Sequence, residues 1–339
     1  MLHCGVIWLG TDAVRLGEVC QGRTRCDSRY PAWRKSGLLR PSEWLLVIYF
    51  LVAGMRAGLQ GHYSIAALDG CVPLLFAALE ACERSLSRAW TAIARDWVAM
   101  PLLLIAYWNV DFVTRSRWNP AFGQRWIGID RLLLNDWHGR ALIESLGSFL
   151  PSVLELSYLL LYTMPPILLG LVYLFGGRRR AGPFLVTLLS GTLLTYALLP
   201  QFPSQSPRLS FPGQDLPSLM TLFRTVNVWL LDRWDIRASV FPSGHVAVAY
   251  SSAFAVMAAL PERRWFGRVM LVFACLVAVQ TVYGRYHFAV DAAAGFLISL
   301  LGHAVGATVS RPFALGGSRP STFTLRSPNM EPPSGLAGD

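Results

Sequence analysis

Two short polar motifs place histidines at the ends of apolar runs in this sequence. The first, Phe-Pro-Ser-Gly-His, ends at His245. The second, Tyr-His-Phe-Ala-Val-Asp, places His287 four residues before Asp291. Residues four apart share one face of a helix, so Asp291 is expected to hold one imidazole nitrogen of His287 and leave the other free as a nucleophile or base. The alternative is a structural His–Asp pair that joins two helices.

The first motif has the composition of a phosphate site at a helix N-terminus. Pro242 suits a first helical turn. The N–H groups of Ser243, Gly244 and His245 would point out of that turn, where unpaired donors and the helix dipole bind phosphate. A protonated His245 would give its proton to a departing oxygen. The alternative is that Ser243 only caps the helix.

Two arginines are candidates for binding the phosphate oxygens. Arg208 lies in the segment Pro-Ser-Gln-Ser-Pro-Arg-Leu after an apolar run, and Arg285 stands two residues before His287. A guanidinium is a fixed positive fork that matches phosphate oxygens. For each arginine the alternative is an interfacial side chain that contacts lipid headgroups.

The elements that must position these residues are apolar helices. Of the 339 residues, 53% are hydrophobic and only 15% are charged, which is too apolar for an ordinary soluble domain. Runs near the ~20 residues that cross a bilayer predict an all-α, polytopic membrane helical bundle of about eight spans. The predicted spans are residues 42–59, 64–82, 97–113, 150–176, 184–201, 242–260, 267–284 and 287–309.

The charge pattern predicts how this bundle is oriented. The net charge is +10, and Lys35 is the only lysine. The arginines cluster in short loops, which fits membrane topology and anionic headgroups and argues against a nucleic-acid partner. The loops near residues 84–95, 177–180 and 262–268 are predicted to be cytoplasmic, as are both termini. Both histidine motifs then lie on the non-cytoplasmic face of the plasma (inner) membrane.

The chain divides into three predicted parts. Residues 1–41 are a basic cytoplasmic segment, residues 42–310 are the membrane domain, and residues 311–339 are a tail rich in proline, serine and glycine. Both ends are expected to be disordered. The six cysteines form neither a CxxC pair nor a zinc-binding spacing, so we expect free thiols.

Other polar residues carry weaker predictions. A carboxylate inside a membrane span is costly, so Glu155 is expected either to be paired or to face a cavity. Asp130 and Arg131 are expected to pair locally. An interfacial aromatic belt is predicted for Trp118, Trp126 and Trp137.

These motifs together resemble a known family. The Pro-Ser-Gly-His run, the His-x-x-x-Asp spacing and an upstream arginine resemble the type 2 phosphatidic acid phosphatase (PAP2) superfamily, over roughly residues 97–309. The resemblance implies a six-helix PAP2-like core. The segments Gly128–Leu134 and Ser145–Pro166, and the proline-containing loop before Arg208, resemble the branch that contains inositol phosphorylceramide synthases and their bacterial relatives.

The resemblance implies a membrane enzyme that acts on a lipid- or polyprenyl-linked phosphate, with water or an alcohol such as inositol as the acceptor. His287 would be the nucleophile that forms a phosphohistidine, Asp291 would orient it, and His245 would act as general acid and then as base. No metal or cofactor is implied, because cations and a helix terminus neutralise the charge. The phosphate-binding residues would be Arg208, Ser243, Gly244 and Arg285.

The sequence departs from the phosphatase pattern at three places: Gln201 replaces a lysine, Leu209 a proline and Thr281 an arginine. These departures favour transfer to an alcohol over plain hydrolysis and leave both open. Two other classes are considered, a non-catalytic lipid-binding protein with the same fold and a vanadate haloperoxidase. The intact histidine motifs argue against the first, and the membrane spans and the reduced basic set argue against the second.

Overall fold

The computed structural model describes residues 39–86, 89–114, 120–237 and 239–315, and within these ranges it contains helices, turns and loops but no strands. The predicted all-α class is therefore confirmed. A π-type turn (Leu132–Asp136) and two 3₁₀ turns (Arg178–Arg180 and Leu199–Gln201) adjoin the α-helices. The helices are α1 (Pro41–Leu59), α2 (Tyr63–Leu86), α3 (Ala89–Trp97), α4 (Ala99–Val113), α5 (Pro120–Arg131), α6 (Gly139–Glu144), α7 (Phe149–Leu161), α8 (Met164–Gly176), α9 (Ala181–Leu198), α10 (Pro207–Ser210), α11 (Leu222–Trp234), α12 (Gly244–Ala259), α13 (Arg264–Tyr283) and α14 (Ala289–Leu315).

Several of these helices have the length and composition of membrane spans, which indicates a multi-pass membrane protein. Among the described residues six stretches qualify, or seven if α7 and α8 are counted as one bent span, against the eight predicted from hydropathy. The apolar helix α12 has only 16 residues, fewer than the ~20 that cross a bilayer. The six stretches are Pro41–Leu59, Tyr63–Leu86, Trp90–Val113, Arg178–Gln201, Arg264–Tyr283 and Ala289–Val309.

The single span predicted over residues 150–176 is two helices. α7 and α8 are bent by 72° relative to each other. α8 begins at Met164, and Pro165 lies in its first turn. A proline lacks the N–H that would continue α7, but its ring fits a first turn. Hydropathy misses the bend because the segment is apolar on both sides of it.

α9 is the central helix of the bundle and packs against α1, α4, α12 and α14. Glycines allow its close crossing with α14. A Cβ added to Gly302 would lie 2.3 Å from the Gly191 nitrogen, and one added to Gly306 would lie 2.4 Å from the Thr187 Oγ1. Small residues let membrane helices approach until their backbones touch, which maximises van der Waals contact.

A network of ion pairs closes the end of the bundle opposite the histidine motifs. Arg95 donates to the Glu43 carboxylate at 2.6 Å, and Arg180 donates to the Ala259 carbonyl oxygen at 3.2 Å. His245 and Ala259 lie near the two ends of α12, about 21 Å apart at 1.5 Å per residue. The arginine-bearing loops and the histidines therefore lie at opposite ends. The network also includes Arg40, Glu80, Glu83, Asp96, Tyr173 and Arg178.

Some sequence predictions fall outside the described residues. They concern the basic segment up to residue 38, Trp118, and the tail beyond residue 315. α14 ends at Leu315, so residues 311–315 belong to this helix and not to the tail. The described cysteines are free thiols, as expected: Cys71, Cys82 and Cys275.

Candidate active site

The first turn of α12 and the first turn of α14 are joined, which brings the two histidine motifs together. Ser243 caps α12, because its Oγ accepts a hydrogen bond from the Val246 N–H at 3.3 Å. Its own N–H donates to the Asp291 carbonyl oxygen at 3.0 Å. A Cβ added to Gly295 of α14 would lie 2.5 Å from the Ser243 carbonyl oxygen. The two helix starts are therefore in backbone contact.

The two motif histidines face each other directly. Nδ1 of His245 lies 3.3 Å from Nε2 of His287. Nδ1 of His287 lies 3.0 Å from the Val240 carbonyl oxygen. Because a carbonyl oxygen only accepts hydrogen bonds, this Nδ1 carries a proton, and Nε2 of the neutral ring has a free lone pair. Nε2 is the atom that a nucleophile needs, and it points at His245.

Asp291 lies beside the same ring and is fully buried. Its Oδ2 is 3.5 Å from Nδ1 of His287 and accepts the Phe288 N–H at 2.9 Å. The predicted His–Asp neighbourhood is therefore present, but the carbonyl of Val240 makes the shorter contact with Nδ1. Two acceptors hold the ring in one tautomer.

Two tyrosines of α7 and the turn after it surround the other side of His245. Nε2 of His245 lies 3.0 Å from the Tyr158 hydroxyl and 3.3 Å from the Tyr162 hydroxyl. The Tyr158 ring is stacked on the imidazole with centroids 4.6 Å apart. Neither tyrosine belongs to a motif that marks it in the sequence, although they are four residues apart and hence on one helical face.

A small cavity lies between the histidines and α4. Its volume is about 10 Å³, roughly the space for one water molecule. A phosphate is larger, so binding one requires the surrounding side chains to move. The lining residues are Tyr107, Leu199, Asp235, Ile236, Ser239, Val240, Gly244, His245 and His287.

Ser243 and Gly244 lie where the sequence placed them, at the N-terminus of α12. The N–H of Ser243 is already bonded to Asp291. The N–H groups of Gly244 and His245 lie in the first turn of α12, where N–H groups have no hydrogen-bond partner within the helix. A Cβ added to Gly244 would lie 3.2 Å from the Tyr196 ring, so a larger residue there would crowd that ring.

The two candidate arginines differ in their surroundings. Arg208 pairs with the exposed carboxylate of Asp232 at 2.7 Å, and its charge acts on Asp235, which lines the cavity. Arg285 is fully buried, has a φ of 66° and pairs with Asp130 at 2.7 Å. Only Nη1 of Arg285 makes this pair, and its Nε and Nη2 have no hydrogen-bond partner among the described residues, so the phosphate contact of Arg285 stays a prediction.

The Asp130–Arg285 pair corrects the predicted local pair of Asp130 with Arg131. Arg131 instead donates to Asp215 at 2.9 Å. Asp130 also accepts the N–H of Ala289, at the start of α14, at 2.9 Å. Burial raises the pKa of Asp130 to about 6 and lowers the pKa of Arg285. The pair anchors α5 to the loop that carries His287.

Glu155 is the centre of a second buried polar cluster. It accepts hydrogen bonds from Arg224 at 3.0 Å, from Asn227 at 2.7 Å and from the Tyr286 hydroxyl at 2.9 Å. Arg224 also reaches the Gly284 carbonyl oxygen at 3.4 Å. Glu155 is therefore paired, one of the two expected outcomes. The cluster ties α7 and α11 to the residue before His287.

The two described tryptophans of the predicted aromatic belt have different surroundings, and the belt itself stays a prediction. Trp137 is exposed. Trp126 instead packs beside the site, with its ring 5.1 Å from that of Phe241 and 5.7 Å from that of Phe288. These two phenylalanines flank the two motifs, so α5 lies over the site.

A family model described as the PAP2 superfamily matches residues 126–305, which is more than half of the 339 residues. The chain belongs to the PAP2 superfamily. The matched range contains both histidine motifs and ends within α14. Searches of curated proteins and of solved structures each returned no match. Membership in the PAP2 superfamily suggests a phosphatase-type phosphoesterase or a phosphotransferase.

Several residues of this PAP2 site had no signal in the motifs. Tyr107 of α4 hydrogen-bonds to Asp235, and both line the cavity. Arg224 and Asn227 lie three residues apart on α11, which places them on one face. The charged Glu155 in an apolar span predicts either a partner or a cavity, and only the fold shows that its partners are Arg224, Asn227 and Tyr286.

Proposed function

We propose that this PAP2 protein is an integral membrane phosphoesterase or phosphotransferase that acts on a lipid-linked phosphate through a phosphohistidine on His287. The acceptor is water or an alcohol such as inositol, as the resemblance to inositol phosphorylceramide synthases implies. The observation that carries the proposal is the 3.3 Å contact between Nδ1 of His245 and Nε2 of His287. It places His245, which can donate a proton, next to the Nε2 lone pair of His287, at one end of the bundle of apolar helices.

The first half of the reaction follows from these two rings. Nε2 of His287 attacks phosphorus and forms a P–N bond, while the P–O bond to the lipid breaks. The departing oxygen takes a proton from His245. Phosphorus must reach Nε2, so the contact between the two imidazoles opens when the substrate binds.

The second half reverses the roles. The acceptor oxygen attacks phosphorus, its proton passes to His245, and the P–N bond to His287 breaks. Asp291 and the Val240 carbonyl keep a proton on Nδ1, which stabilises the charge that forms on the ring. Arg208 and the N–H groups of Gly244 and His245 offset charge on the phosphoryl oxygens.

We also propose an orientation. The site faces the non-cytoplasmic side of the plasma (inner) membrane and both termini are cytoplasmic. The support is the charge distribution, because Arg95 and Arg178–Arg180 lie at the end of the bundle remote from the histidines, and arginine-rich short loops remain in the cytoplasm. Lipid tails then stay in the bilayer while the phosphate reaches the site at its surface.

The test uses purified protein in nanodiscs with a panel of ³²P-labelled lipid phosphomonoesters and phosphodiesters, with and without myo-inositol. With a phosphomonoester, label in inorganic phosphate means transfer to water; with a phosphodiester, transfer to water leaves the label in the headgroup phosphate. Label in an ester of the added alcohol means transferase activity. His287→Ala should abolish both products. His62→Ala, which changes an exposed histidine outside the site, is the matched control and should retain them.

The second candidate is a non-catalytic lipid-binding protein that retains the PAP2 fold. The observation that favours it is a separate apolar groove of about 420 Å³ between α6, α7 and α13, because its walls suit a lipid tail and neither motif histidine lines it. In that case wild type and His287→Ala would bind lipid phosphate equally and form neither product. A His287-dependent product excludes this candidate.

A further inference from the structure

Asp235 places a carboxylate in the same cavity as the two histidines. It lies between α11 and α12, seven residues before Pro242, and lines the cavity together with His245 and His287. The Tyr107 hydroxyl of α4 donates to its Oδ1. Asp235 is therefore held in place by another residue that lines the same cavity, and neither histidine motif includes it.

Burial, the larger effect, favours the neutral form of Asp235, and its polar neighbours favour the ionised form. Burial raises the pKa of Asp235, whereas the Tyr107 hydroxyl and the charges of His287 and Arg208 oppose that rise. Above that raised pKa Asp235 is a carboxylate, which accepts hydrogen bonds and offers no donor. It repels a phosphate dianion and attracts a hydroxyl group, so one wall of the cavity suits a part of the substrate that is not the phosphate.

From this arrangement, and resting on the proposed function, we infer that Asp235 is a specificity residue that binds a hydroxyl group of a polyol acceptor. The hydroxyl that attacks phosphorus gives its proton to His245, so it does not also donate to Asp235. A second hydroxyl of the same molecule makes that bond. The acceptor is thus an alcohol with at least two hydroxyl groups, and Tyr107 is the positioning residue that orients Asp235.

The transfer step is balanced by groups already present. The O–P bond of the polyol forms, the P–N bond to His287 breaks, and the proton of the attacking hydroxyl moves to His245. Asp235 only accepts a hydrogen bond and neither gains nor loses a proton. Water cannot hold both positions at once, so the Asp235 contact favours the polyol over hydrolysis.

The test compares acceptors in the wild type, Asp235→Asn and Tyr107→Phe, with a ³²P-labelled lipid phosphate as donor. The acceptors are glycerol and myo-inositol, which have several hydroxyl groups, and ethanol, which has one. The quantity measured is the ratio of labelled alcohol ester to labelled inorganic phosphate. Glu262→Gln, an exposed carboxylate at the other end of α12, is the control.

We expect Asp235→Asn to lower the ratio for the two polyols by about tenfold or more, as for a lost hydrogen bond to a charged group. The ratio for ethanol should be unchanged whatever the absolute rates, because ethanol has no second hydroxyl group for Asp235 to bind. Tyr107→Phe should give a smaller fall in the polyol ratio, because the carboxylate stays but is less well oriented. Glu262→Gln should match the wild type for all three acceptors.

Three results would overturn the inference. An equal loss of all products in Asp235→Asn would mean that the carboxylate acts only through the charge on His287 or through folding. An unchanged polyol ratio, or a wild type that hydrolyses but never transfers to a polyol, would mean that no acceptor contact exists. If the wild type forms no His287-dependent product at all, the proposed function itself fails. If it forms such products but the polyol ratio does not depend on Asp235, only the inference fails.

Discussion

The Val240 carbonyl oxygen, 3.0 Å from Nδ1 of His287, is a closer partner of that ring than Asp291 at 3.5 Å. Val240 ends the segment that leads into the Pro-Ser-Gly-His turn, so the backbone before α12 orients the histidine that precedes α14. His287, the proposed nucleophile, is thus held by the residue that directly precedes the other motif. The tautomer of His287 does not depend on the carboxylate alone.

Asp291→Asn should therefore slow turnover by less than the ~10⁴-fold that removing an orienting carboxylate causes in a protease triad. Val240 still accepts the Nδ1 proton and keeps Nε2 free. The measurement is the single-turnover rate of ³²P release from a labelled lipid phosphate. A loss as large as that of His287→Ala would show that the carbonyl does not hold the tautomer.

His245→Ala should slow the reaction by about 10²–10⁴-fold, the usual contribution of a general acid. The loss should be much smaller for a 4-nitrophenyl phosphate ester, because that leaving group departs without a proton. The rates of wild type and variant are compared for a lipid phosphate and for this ester. The same loss with both substrates would argue that His245 has another role.

Arg224→Met should reduce the free energy of unfolding by about 3–5 kcal/mol, because it leaves the buried Glu155 carboxylate without its ion-pair partner. The double variant Arg224→Met with Glu155→Leu should recover part of that loss. Apparent melting temperatures in one detergent provide the comparison. If the double variant loses as much stability as the sum of the losses in Arg224→Met and Glu155→Leu, the two side chains do not form a stabilising pair.

The pH dependence of stability should contain a contribution from Asp130. Burial raises its pKa from 3.8 to about 6, so the folded protein holds this proton more tightly than the unfolded chain does. The resulting stabilisation is complete below pH ~4 and is lost as the pH rises through about 6. The melting temperature of the wild type should therefore fall, relative to that of Asp130→Asn, between pH 4 and pH 7. A constant difference between the two proteins over that window would refute this assignment.

The sequence by itself determined the helical class, the membrane character and the residues of the two histidine motifs. Apolar runs of bilayer length have only helical solutions, since each backbone polar group must be satisfied within its own segment. The spacing of His287 and Asp291 is local, so helix geometry alone predicts their proximity. The position of Glu155 in an apolar run predicts from the sequence that this carboxylate is either paired or faces a cavity.

Only the tertiary structure decided which distant residues meet. Val240 next to His287, Tyr158 on His245, Tyr107 with Asp235 and Arg285 with Asp130 all join segments that are far apart in the chain. The partner of a buried donor or charge is set by how helices cross and bend, including the 72° bend between α7 and α8. Hydropathy carries no information on such crossings, because the hydropathy of an apolar face is the same whichever helix packs against it.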